Sequence, residues 1–200
     1  MQVHECARIA MSNIENDIER NKMIDINKLV KSFTLDSIAK ITCSIKVDSY
    51  QNWDSEFRKI ADSSFNVNIV NLAFMFPWIF SKLNKSILNP EFIAYFKNLT
   101  KTILDQRKKD GTSECYNDVL AIMSRVRSGQ KFDEAVDSNI VSQTQINEDI
   151  ISTTIMQFYF DGYDTTKNLI LPIIYLLSLN PQAQVIETIM SEIYKLPYST

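Results

Sequence analysis

A stretch of more than thirty residues, from about Asn147 to Leu179, carries helical periodicity without a glycine-rich break, and any fold for this chain must accommodate it. Asn147 stands where a cap belongs, and Glu148 and Asp149 place negative charge in the first turn, where the helix dipole favours it. After Thr166 the run from Leu169 to Leu179 is almost wholly apolar, so this half is expected to be buried on all sides. Pro172 removes one backbone bond within it and predicts a kink, and Asn180-Pro181 ends it. With only three glycines in 200 residues there is little material for β-turns. The expected fold class is therefore all-α, organised around a long central helix over about 147–179.

The rest of the chain reads as shorter helices. Val3, Ile9, Ile14 and Ile18 recur at roughly helical spacing over Met1 to Arg20. A second helix is predicted from about Asp25 into Ile45, with Phe33, Leu35, Ile38, Ile41 and Ile45 close to one face. Val47 to Asn52 reads as a loop. Trp53 to Phe80 is rich in aromatic residues, broken by Pro77, and suits a core helix pair, a substrate-facing lid or a membrane-touching edge. Asn89-Pro90 opens a helix that reaches Arg107 and stops at Asp110-Gly111-Thr112. A short helix begins at Asn117 to Leu120, Ser128 to Gln145 reads as a mobile connection, and Gln182 to Lys195 as a last amphipathic helix.

Composition excludes several functions. A net charge of -3 with scattered lysines offers no basic stripe for nucleic acid. Cys6, Cys43 and Cys115 are an odd number at wide spacings, which does not suggest a secreted disulfide framework. One histidine, His4, and no paired-cysteine motif leave no recognisable zinc or histidine-based di-iron site. No apolar run is long enough to span a bilayer.

The candidate site lies inside the long helix, at Phe160-Asp161-Gly162-Tyr163-Asp164-Thr165-Thr166. Glycine costs about 1 kcal/mol relative to alanine in a helix interior, and threonine is stiff at its first torsion. Winding at about 100° per residue gathers Thr153, Thr154, Gln157, Asp161, Asp164, Thr165 and Asn168 in one sector. Ile155, Tyr159, Gly162 and Tyr163 fall largely opposite. Such a polar stripe is either the solvated face of an amphipathic helix or, carried into an interior, the wall of a cavity or cofactor site.

Asp161 to Thr166 resembles the Ala/Gly-Gly-x-Asp/Glu-Thr-Thr/Ser motif in the central helix of cytochrome P-450 haem-thiolate monooxygenases. Its surroundings follow the same order. Phe33 to Ile38 is similar to helix E of that family, Asn117 to Leu120 to the start of helix H, and Asn180 to Ala183 with Glu192-Ile193 to the run through helix J. The resemblance covers residues 1–200 as a single partial domain, about helices D to J, and is strongest to the microsomal, drug-metabolising branch.

The resemblance implies haem as cofactor, NADPH acting through a reductase partner, a small lipophilic substrate, and an endoplasmic reticulum location for the complete enzyme. Its motif makes Asp164 and Thr165 the catalytic pair, with Thr165 bonding dioxygen or its water and Asp164 relaying protons. Asp161, Gly162 and Thr165 become cofactor-binding positions, Gly162 letting the helix loosen beside the porphyrin. Gln157 and Phe160 look toward substrate, and Phe65 to Phe80 becomes the lid between helices F and G. Asp161 replaces a small residue at the haem face, and a carboxylate there is costly unless paired, hydrated or protonated. The axial cysteine loop has no counterpart here. Gly111 and Cys115 share its final spacing, but Lys108 stands where phenylalanine belongs and the site precedes the long helix. The metal ligand is therefore expected to be none of these residues, membrane association to come through parts not in this sequence, and the isolated chain to be inactive. The alternatives are a non-enzymatic helical protein whose polar face binds a partner, or a truncated paralogue.

Overall fold

The structure, a computed structural model, describes residues 2–64, 88–112, 115–128 and 146–185, together with 75, 76, 78 and 82. Six helices are described: α1 (Gln2–Glu19), α2 (Ile26–Cys43), α3 (Glu56–Asp62), α4 (Pro90–Lys109), α5 (Val119–Arg127) and α6 (Glu148–Leu179). No strand is found among the described residues, so the protein is all-α. The connection expected over 128–145 beyond Ser128, the part of the aromatic segment from Phe65 to Phe80 apart from residues 75, 76 and 78, and most of the last helix fall outside the described residues.

Local chemistry places the boundaries. Asp25 caps α2 by accepting from the Lys28 amide at 3.0 Å, Asp118 caps α5 from Ala121 at 2.8 Å, and Asn147 caps α6 from Ile150 at 2.9 Å. Asn89 caps α4 with Pro90 following in the first turn. The far end of α4 closes through Gly111 at φ +65, with the Thr112 amide donating to the Arg107 carbonyl at 3.0 Å.

The core sits between α2 and α6, which share the most extensive contact, with α4, α5 and α1 packed around them. Ile151, Ile155, Met156, Tyr159 and Tyr163 of α6 meet Leu35, Ile38, Ala39 and Cys43 of α2 and Phe92 and Phe96 of α4. The rings of Phe57, Phe92, Phe96, Tyr159 and Tyr163 form one aromatic cluster, closest at 4.6 Å between Phe92 and Phe96 and 4.7 Å between Phe96 and Tyr159. Helix α2 is buried on several sides despite its polar residues, because Thr34 and Thr42 return their hydroxyls to the carbonyls of Val30 and Ile38 at 2.7 Å. On α1 the buried positions are Cys6 and Asn13, whereas Val3 and Ile18 of the apolar set are exposed. Asn13 receives the Gln51 side chain and Asp17 the Tyr50 hydroxyl, so this helix docks through polar partners as well as apolar area.

One expectation is overturned. The apolar half of α6 after Thr166 is not enclosed: Leu169 is 63% exposed and Leu176 57%, with Ile173, Tyr175 and Leu179 also exposed. The reason is layer count. The α6 residues in the core cluster shared with α2 and α4 run from Ile151 to Tyr163, in the first half of the helix. The helix runs through Pro172 without interruption.

Burial also separates the thiols. It pushes the Cys43 thiol up to about 11 and raises that of Cys6, while Cys115 is exposed. A raised folded value adds stability that is complete below the unfolded value near 9 and is lost as pH climbs through about 11. At pH 8 a disulfide reagent is therefore expected to label Cys115 rapidly and the two buried thiols only after denaturation. Rapid titration of more than one thiol in the native protein contradicts this packing.

Candidate functional site

The site begins from how α6 is turned. Tyr159 and Tyr163 point into the aromatic core, which sends Asp161 and Thr165 outward on the opposite side. Gln157, one turn before Asp161, is exposed on that outer side too, and Phe160 is half-buried on its flank. The polar stripe expected from the winding is thus reproduced, and its opposite face is the core.

Within the motif, the Thr165 hydroxyl donates back to the Asp161 carbonyl one turn earlier. Its lone pairs remain free to accept. The Asp161 side chain is exposed. Asp164 is half-buried and accepts from Lys167 Nζ at 2.5 Å, and that ammonium lies 5.1 Å from the centre of the Tyr163 ring. The structure therefore brings Gln157, Asp161 and Thr165 onto one open face and turns Asp164 toward Lys167 rather than Thr165.

Gly162 has a reason the sequence does not reveal. A Cβ built there meets Ile38 Cδ1 of α2 at 2.4 Å and Cγ1 at 3.1 Å, so glycine permits the close approach of the two central helices. The helix is continuous through Gly162. Tyr163 is also tied from outside α6: its hydroxyl donates to Asp62 Oδ1 at 2.7 Å, and burial with this bond raises its pKa.

Between α4 and α5 lies a buried polar pair that sequence reasoning does not reveal. Arg107 of α4 donates to both carboxylate oxygens of Asp118 at 3.0 and 2.6 Å and to the Cys43 carbonyl at 2.7 Å, and stacks 3.9 Å over Tyr116. Both charged side chains are buried, at 6% and 0% exposure. In the sequence Arg107 looks like any cation in the last turn of a helix; only the Asp118 cap position hints at more.

A family model described as Cytochrome P450 matches residues 2–195. The chain belongs to the cytochrome P450 family. Among individual relatives, it is 26% identical over 186 residues to cytochrome P450 6B6 of Helicoverpa armigera, covering 91% of this chain and 36% of that protein. Cytochrome P450 6B1 of Papilio polyxenes is 27% identical over 165 residues, 80% of this chain and 32% of its own length. Cytochrome P450 9e2 of Blattella germanica is 26% identical over 192 residues, 90% of this chain and 36% of its own. The chain thus spans about a third of the length of these curated relatives.

A cytochrome P450 implies haem, and the outer face of α6 can be tested for it. A flat apolar macrocycle needs an uncovered surface with few polar groups. Phe158 and Leu169 are exposed beside Thr165 on the same side of the helix. Phe158 and Leu169 suit the apolar side of a haem, whereas Gln157 and the Asp161 carboxylate make the neighbouring part of the face polar. Residues 157–173 contain no cysteine, histidine or methionine to ligate iron, and the two tyrosines among them, Tyr159 and Tyr163, are buried in the core. Among the described residues no cluster of three metal-binding side chains occurs, and no helix is long and apolar enough to cross a membrane.

Proposed function

We propose that this chain is the central helical part of a monooxygenase that inserts one oxygen atom of dioxygen into a small lipophilic substrate. The observation that carries the reading is the match to the cytochrome P450 family over 2–195 with Asp164-Thr165 at mid-helix beside an uncovered face. Haem, when bound, supplies the reductive activation of dioxygen, with electrons from NADPH through a reductase partner and the complete enzyme at the endoplasmic reticulum membrane.

The chain's own residues supply positioning and protons. Thr165 is the catalytic hydroxyl: with its proton on the Asp161 carbonyl it accepts a hydrogen bond, and by rotating its O–H outward it donates one. Asp164 is the proton carrier, able to exchange its Lys167 partner for a water on the Thr165 side. Protons delivered singly through such groups suit a poorly hydrated pocket. Gly162 serves the cofactor side by letting α6 lie close on α2, which fixes where the outer face stands. Gln157 and Phe160, one turn earlier, border the substrate. Asp161 shares the cofactor face with Thr165 and brings a charge where family members carry a small residue.

The test is the ratio of oxygenated product to NADPH consumed by the haem-loaded enzyme. Thr165→Ala is expected to lower it at least about tenfold with hydrogen peroxide rising. Asp161→Ala is expected to raise it. An unchanged ratio in Thr165→Ala removes that residue from catalysis, and an unchanged ratio in Asp161→Ala makes its carboxylate irrelevant to coupling.

A further inference from the structure

Two consecutive residues of the motif are anchored to two different helices. Gly162 rests on Ile38 of α2. Tyr163, buried at 1% exposure, donates its hydroxyl to Asp62 Oδ1 at 2.7 Å, at the last residue of α3. Asp62 is itself held through Oδ2 by Arg58 at 2.7 Å and by Lys31 of α2 at 3.4 Å, and Arg58 stacks 4.4 Å over Trp53. A carboxylate with three donors from three helices is a fixed point. Its bond to Tyr163 is charge-assisted, the stronger kind of hydrogen bond.

We infer that Asp62 is a positioning residue for the outer face of α6: by holding Tyr163 it fixes the rotation of that helix about its axis, and with it the direction in which Thr165 presents its hydroxyl. The contact between Gly162 and Ile38 resists approach of the two helices, but an aliphatic tip makes no directional bond against rolling. The bond to Asp62 resists rolling directly. A helix with side chains has a radius of about 5–6 Å, so a roll of about 10° carries an outer side chain roughly 1 Å. A misplacement of about 1 Å can cost on the order of 10²-fold in rate. Loss of one oxygen atom from Tyr163 therefore reaches Thr165 without any contact between them. Why direction matters rests on the proposed function; that the helix is held does not.

The experiment has two arms. In the 200-residue chain, Tyr163→Phe and Asp62→Asn are compared by amide hydrogen exchange. Both are expected to speed exchange of the amides of residues 161–166 about tenfold, while amides of α4 and α5 keep their rates. Unchanged exchange at 161–166, or an equal rise across all helices, overturns the inference. In the haem-loaded enzyme, Tyr163→Phe is expected to lower product per NADPH several-fold, and to add nothing in a Thr165→Ala background. If Thr165→Ala uncouples and Tyr163→Phe does not, positioning fails alone. If Thr165→Ala itself has no effect, the proposed function fails while the exchange result still decides whether Asp62 holds the helix.

Discussion

Replacing Asp118 by alanine is expected to destabilise the protein by about 3–5 kcal/mol, enough to unfold a marginal domain at room temperature. The carboxylate is fully buried and does two jobs, accepting both guanidinium nitrogens of Arg107 and capping α5 through the Ala121 amide. Removing it leaves a buried cation facing only the Cys43 carbonyl and the Tyr116 ring, and takes away a cap worth about 1 kcal/mol. Asp118→Asn keeps the cap and loses the charge, so it isolates the larger contribution. Because an isolated buried charge costs more than a removed pair, Arg107→Met combined with Asp118→Asn is expected to be more stable than Asp118→Asn alone. Urea unfolding followed by circular dichroism checks the series. A loss below about 1 kcal/mol in Asp118→Ala contradicts the burial of this pair.

The second large effect is expected at Phe96. Its ring lies within 4.7 Å of Tyr159, 4.6 Å of Phe92 and 5.9 Å of Phe57, centre to centre, so it joins α3, α4 and α6. Phe96→Ala opens a cavity where three helices meet and is expected to cost about 3–5 kcal/mol. For a chain of this size that is a fall in melting temperature of roughly 6–20 °C. Phe96→Leu refills most of the volume and is expected to recover over half of the loss. A fall smaller than that of an exposed control such as Val3→Ala means the cluster is not the core.

How much of this was legible in the sequence varies by element. Helices with chemical punctuation were: Asp25, Asn89-Pro90, Asn147 and the Asp110-Gly111 stop place α2, α4 and α6 within about two residues, because caps act through their nearest backbone amides. The inward face of α6 was legible through its period. The enclosure of its second half was not, since an apolar run says that a surface wants to be covered and nothing about which element covers it. The same limit applies to α1, where Ile18 matches the period yet stays exposed and Asn13 is buried through its bond with Gln51.

In the site, the identity of the motif residues was readable and their company was not. Thr165 and Asp161 share the outer face as their spacing requires. The pairing of Asp164 with Lys167 follows an i,i+3 spacing that was present in the sequence but competed with several other partners for the same carboxylate. Tyr163 with Asp62 and Arg107 with Asp118 bring together residues whose separations along the chain carry no period. Gly162 was noticed for its helix cost and explained only by Ile38, a contact no local rule contains.

As proposed, these residues furnish the oxygen-side face of a haem site and not its iron ligand. The most direct measurement is the reduced carbon monoxide difference spectrum of the 200-residue protein mixed with haem, on material whose helix content by circular dichroism matches an all-α fold. With Cys6 and Cys43 buried and no thiol on the outer face of α6, the spectrum is expected to lack a thiolate-type Soret band. A thiolate-type band, lost when Cys115 is replaced by serine, would contradict that division of the site.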